Sequence, residues 1–136
     1  VGELKRFLDA QERDYATALS EITAGYKRSH WMWYIFPQID GLGHTEMAKR
    51  FSIRDLPEAT AYLQNSVLGK RLINISKRLL DLPGKDATKI MGSPDDMKLR
   101  SCMTLFSIVP GADGVFNAVI EKYFNGEKDR ATLQLL

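Results

Sequence analysis

A single cysteine, Cys102, excludes an internal disulfide, and with only two histidines, His30 and His44, the chain shows no zinc-ligand spacing. Stability must therefore come from a packed core. No apolar run approaches the ~18 residues of a membrane span, and no basic stretch followed by an apolar one opens the chain. Charge of one sign is also lacking: 19 Lys and Arg stand against 17 Asp and Glu, and a net +2 disfavours nucleic acid or an anionic membrane as partner. Two-residue apolar alternation, Asn-Gly hairpin dipeptides, internal repeats and low-complexity stretches are absent too, which argues against a sheet or a repeat architecture. The expectation is a cytoplasmic protein with no metal and no cofactor.

What is present is the balance of a globular domain, with 44% hydrophobic and 26% charged residues in 136. A chain of this length buries roughly 65–70% of the surface its unfolded form exposes, enough for one core. We therefore expect one helical domain over 1–136. Charge is uneven along it: residues 1–25, 26–80 and 81–136 sum to −2, +5 and −1, so only the middle is basic.

Apolar residues recur at helical spacing in every long segment. Leu4, Phe7, Leu8, Tyr15, Ala18, Leu19 and Ile22 mark a helix over about 3–24 stopped by Gly25. Residues 29–43 hold both tryptophans and read as a short buried helix or turn followed by a loop. Thr45 and Asp55 are N-cap signals for two short helices, and Val67 to Leu82 forms an amphipathic helix with the Lys70-Arg71 and Lys77-Arg78 pairs on its polar side. Ser93-Pro94-Asp95-Asp96 reads as a capping box opening a helix over about 94–108. Leu99, Cys102, Met103, Leu105, Phe106 and Val109 cover most of its circumference, which places it at the centre of the fold. Val115 to Phe124 and a last turn capped by Asp129 complete an all-α, compact multihelical bundle.

Several of these segments resemble one family. Phe7-Leu8-Asp9-Ala10-Gln11, Ser29 through Gln38, Gly41-Leu42-Gly43, Met103-Thr104-Leu105-Phe106, and Gly126 with Asp129 and Thr132-Leu133 are similar to the domain of unknown function 1810 family, small bacterial proteins often labelled calpastatin. The resemblance spans nearly the whole chain and implies a compact, mainly helical domain, with no activity attached. A calpastatin inhibitor is similar to a disordered, low-aromatic, repeat-built chain, whereas this composition is that of a folded domain. Thr45 and Cys102 stand where the family pattern has serines.

Polar groups planted in apolar surroundings are the candidate functional residues. Gln11 lies on the apolar stripe of the first helix, and Lys98 projects between Cys102 and Leu105 inside the apolar arc of the central one. His30 sits in the aromatic segment, where an imidazole either fills a hydrogen-bonded core position or serves as acid or base. Trp31 and Trp33 supply either core or a stacking wall, and Gln38 either braces its turn or offers a donor and an acceptor to a ligand. Ser101 and Thr104 share a helix flank, from which hydroxyls contact an anion or bond backward to helix carbonyls. Gly41-Leu42-Gly43 lacks the preceding strand that a phosphate loop requires, and Cys102 reads as an inert core thiol. If these segments converge they form one pocket for an anionic or nucleotide-like small molecule, with His30 as the catalytic candidate. The alternative is a protein-interaction domain in which the same residues form a buried structural network.

Overall fold

The computed structural model describes residues 2–136. A 3-10 turn at Gly2–Leu4 leads into α1 (Lys5–Thr23), whose apolar stripe buries Phe7, Ala10, Ala18 and Ile22. The helix ends as its sequence predicts: Gly25 takes φ +84°, its N–H reaches the Ile22 carbonyl at 2.9 Å, and the Tyr26 N–H reaches that of Glu21 at 3.1 Å. This doubly bonded left-handed turn satisfies carbonyls that a helix end leaves bare.

The chain continues through α2 (Met32–Ile35), α3 (Glu46–Arg50), α4 (Leu56–Gln64), α5 (Leu68–Asp81), α6 (Ala87–Met91), α7 (Asp95–Ser107), α8 (Val115–Phe124) and α9 (Arg130–Gln134). No strand occurs among the described residues, only an isolated parallel bridge between Ile39 and Ile53. The N-cap expectations at Thr45, Asp55 and Asp129 hold, since each side chain accepts a backbone N–H three residues on. The expected Ser93 capping box does not form. The helix starts at Asp95 with Pro94 as its cap residue, and the Asp96 carboxylate accepts instead from the Thr88 hydroxyl at 2.6 Å, tying α6 to α7.

The central helix is α7, which packs against α4, α6, α8 and α9. Its residues 101–106 are all buried, so the near-continuous apolar circumference does place it at the centre. Aromatic rings carry the core outward from it. Phe106 lies 5.2 Å from Tyr62 and 5.9 Å from Phe116, and Tyr62 stands edge-on to Phe7 at 5.3 Å. These pairs join α1, α4, α7 and α8, each contributing about 0.5–1.5 kcal/mol beyond its area. Cys102 sits among them fully buried, and burial pushes its thiol well above its ordinary pKa, so it packs as a small apolar group.

Two cations brace the periphery through carbonyl oxygens. Lys122 of α8 donates to the Leu79 and Leu80 carbonyls at 3.3 and 3.0 Å and to that of Leu82, a positive charge at the C-terminal end of α5. Arg6 donates to the Arg50 and Ser52 carbonyls, each at 2.7 Å, and meets buried Glu58 at 3.2 Å, pinning the loop before α4 to α1. Three of the four basic side chains of the α5 pairs have acidic partners. Arg78 pairs with Asp81 at 3.3 Å, Arg71 approaches Glu12 at 3.7 Å, and Lys77 lies 4.0 Å from Asp113. No helix is long and apolar enough to cross a membrane among the described residues.

The tightest backbone approach is where α5 meets the end of α4. A Cβ added at Gly69 would lie 2.1 Å from the Leu63 carbonyl oxygen, and backbone there has no rotamer by which to yield. Gly69→Ala should therefore force α4 and α5 apart and cost about 1–3 kcal/mol in urea unfolding, and a change below about 0.5 kcal/mol would contradict this packing.

Candidate functional site

The aromatic segment is positioned by one carboxylate. Glu21, in the last turns of α1, accepts from the Arg28 N–H at 2.8 Å, the Ser29 N–H at 3.0 Å, the Ser29 hydroxyl at 2.5 Å and the Trp31 indole N–H at 2.9 Å. Partial burial raises this carboxyl's pKa, but the four donors outweigh it and bring the group down from 4.5 to about 2. Trp31 is thereby locked in the core, 1% exposed. Over its ring, 4.9 Å from the centroid, lies the Lys27 ammonium, which pairs with Asp95 at 2.8 Å. The other oxygen of Asp95 lies 3.5 Å from Lys98, and the Lys98 ammonium sits 4.7 Å from the centroid of the Trp33 ring. One carboxylate thus serves two ammonium groups, and the second carboxylate of the turn, Asp96, is given to the Thr88 hydroxyl, so neither lysine has an acid to itself.

The Lys98 ammonium faces a cleft of about 350 Å³. Trp33 and Gln38 come from the aromatic segment, Leu42 to Thr45 from the glycine loop, Lys98 and Ser101 from α7, and Asp129 from the cap of α9. Gln38 is held by its own backbone: its carbonyl accepts the Ile53 N–H at 2.8 Å in the parallel bridge. The loop opposite needs its glycines for packing. Gly41 takes φ +107° under the Leu135 side chain, and a Cβ at Gly43 would lie 2.6 Å from that of Ala48. Asp129 is partly engaged, since its Oδ2 accepts from the Thr132 N–H at 3.1 Å, the Thr132 hydroxyl at 2.5 Å and Ser101 at 3.1 Å.

The cleft brings together four of the expected residues, Trp33, Gln38, Lys98 and Ser101, and leaves out four others. His30 is exposed and does not line this cleft, so it is not the site's imidazole. Gln11 is buried away from it, its Nε2 donating to the Tyr34 carbonyl at 2.7 Å and to the Tyr62 hydroxyl at 3.0 Å. Trp31 is committed to Glu21, and Thr104 is wholly buried, accepting the Asp129 N–H at 2.9 Å. Three of these four fit the structural reading, in which a polar group in an apolar setting satisfies a neighbour in the core.

Two titratable residues at the cleft were not among those expected: His44 and Asp129. Asp129 was legible only as a helix cap. His44 follows directly on Gly41-Leu42-Gly43, and its signal was position, a titratable ring next to a loop whose glycines keep the backbone close to its neighbours. Lys98 satisfies two readings at once, with its side chain only a quarter exposed and an acid within reach.

The chain belongs to the family described as protein of unknown function (DUF1810), whose model matches residues 2–136. It is similar to the conserved hypothetical protein Rv1873 from Mycobacterium tuberculosis, whose crystal structure superposes with a TM-score of 0.96 at 45% identity, covering 98% of this chain and 96% of that one. No curated protein matches it. The family assignment expected from the sequence and the helical fold it implies both hold.

Folding lowers the Glu21 pKa, so its stabilisation is complete above the ordinary value of 4.5 and is lost as pH falls toward about 2. Glu21→Gln should cost about 1–3 kcal/mol at neutral pH and flatten the decline in stability of the parent between about pH 5 and pH 2.5. Parallel acid titrations of both proteins, followed by tryptophan fluorescence, check this, and identical slopes would contradict it.

Proposed function

We propose that this protein binds a small anionic, ring-bearing molecule of the nucleotide type in the cleft between α2, the Gly41–Thr45 loop and α7. The observation that carries this reading is the convergence of unengaged polar groups on the Lys98 charge. The Trp33 indole N–H, the Gln38 amide and the His44 imidazole line or border one cleft, and none has a hydrogen-bond partner among the described residues. Lys98 supplies the charge for an anionic group, and the half-buried Trp33 ring supplies apolar surface for a ring. Gln38 offers a donor and an acceptor, and the free oxygen of Asp129 accepts from a ligand N–H or hydroxyl. His44 is the imidazole this cleft offers for proton transfer, the role first expected of His30.

The competing reading, an interaction domain with a structural polar network, is favoured for Gln11, Trp31 and Thr104, each engaged in internal hydrogen bonds. It does not extend to the Trp33 indole N–H, the Gln38 amide and the His44 imidazole, whose polar atoms make no hydrogen bond that supports the fold, as is common for groups kept for function.

A thermal-shift panel of nucleotides, sugar phosphates and small carboxylates separates the two. A ligand at 100 times its Kd adds about 2.7 kcal/mol, raising the melting temperature by several degrees. The shift should vanish in Trp33→Ala and Lys98→Met; Lys98→Met should keep parental stability to within about 1 kcal/mol, whereas Trp33→Ala also loses the packing of its half-buried ring against the core, and His30→Ala should respond like the parent. No shift with any compound, together with early melting of Lys98→Met, would make the cluster architectural.

A further inference from the structure

On the far side of the Gly41–Thr45 loop lies a second, wider cleft of about 590 Å³, and Gly43 and His44 line both. Its lining is strongly charged, so the question is which charges are already neutralised. Arg6 is engaged by backbone carbonyls and Glu58, and Arg54 by Glu3 at 2.6 Å and Glu58 at 3.6 Å. The Arg54 guanidinium holds the Glu3 carboxyl below its ordinary pKa, so that pair stays ionised and internally balanced. Lys49 and Arg50, at the end of α3, have no carboxylate within ion-pair distance among the described residues, and Arg50 lies over the Phe51 ring at 5.3 Å. One carboxylate, Asp40, is likewise unclaimed. The unbalanced groups are thus two permanent cations and the His44 imidazole against one acid, around a cleft wide enough for a phosphate chain.

We propose that this basic cleft is a phosphate-binding subsite that takes the charged end, a phosphate or diphosphate, of the molecule whose ring end occupies the Trp33 cleft. The link between the two halves rests on the reading given above, whereas the anion subsite stands on its own charges. The shared wall is the reason for joining them. Gly43 has no side chain to fill either cleft, and His44 reaches the border of both, so a ligand crossing there meets an imidazole from either side. Two guanidinium or ammonium groups with no internal acid suit the spread charge of a diphosphate, and Asp40 opposes it.

The probe is inorganic pyrophosphate, followed by amide NMR at low and physiological salt. Saturable shifts should cluster in residues 41–50 and weaken with salt. The Lys49→Ala/Arg50→Ala double variant should bind about tenfold more weakly, and Asp40→Asn severalfold more tightly, since charges near this anion are worth of the order of a tenfold change together. Trp33→Ala should leave pyrophosphate binding unchanged, which separates failure of this subsite from failure of the ring cleft. Shifts scattered over all surface lysines, or a double variant that binds like the parent, overturns the subsite. Adenosine and guanosine diphosphates then test the link: displacement of pyrophosphate with a simultaneous change at the Trp33 indole supports one shared ligand. Displacement without that change, or no displacement, overturns the connection.

Discussion

The candidate site hangs on one carboxylate that never touches it. Glu21 gathers four donors from the turn after α1, and by holding the Trp31 indole it fixes the ring beneath Lys27. Lys27 then shares Asp95 with Lys98, and Lys98 rests against Trp33. Removal of any link would free the next: an unanchored Trp31 releases Lys27, and an Asp95 free of Lys27 pairs fully with Lys98 and draws its ammonium from the cleft. A buried or half-buried ion pair adds little net stability, because desolvation offsets attraction, so a chain of this kind is better understood as fixing geometry than as holding the fold together. The aromatic core between α1, α4, α7 and α8 does that.

The central helix serves both purposes through its two ends. From Leu99 onward α7 is mostly core, with residues 101–106 buried. Its first turn emerges from the core, and there Met97 and Lys98 face the glycine loop and α9 across the cleft. A site placed where a rigid central element surfaces inherits the precision of the packing beneath it. The opposite wall is a loop, yet it is not slack: the Ile39–Ile53 bridge, the Arg6 contacts to the Arg50 and Ser52 carbonyls, and the close fit of Gly43 against Ala48 constrain it from three sides.

Most of the fold was legible because its signals are local. The helical period placed all the long helices, Gly25 and Asp129 marked their stop and cap, and the apolar circumference of residues 99–106 identified the centre. The Ser93 cap failed because the helix begins one residue later than the motif implied, and Asp96 found a tertiary partner in Thr88. The site was half legible for a physical reason. A polar side chain on an apolar face means either a ligand or an internal partner, and the sequence carries both as the same pattern. Lys98 and Gln38 proved to border a cleft, while Gln11 reached across to Tyr34 and Tyr62, residues far from it in the chain. His44 carried only the signal of its position after the glycines, since an exposed loop histidine has no periodicity to violate, and the tertiary approach of α7 is what makes it part of a cleft.

The two tryptophans provide the most direct test of this account, because one is locked and the other borders the cleft. In a 15N-labelled sample their indole N–H signals are separate reporters, assigned with Trp31→Phe and Trp33→Phe. Titration with nucleotides, sugar phosphates and small carboxylates should move the Trp33 signal saturably with at least one class while the Trp31 signal, held on Glu21, stays in place, and Lys98→Met should abolish the response. A Trp33 signal unmoved by every class, or both indoles moving together, would contradict a ligand cleft at this position.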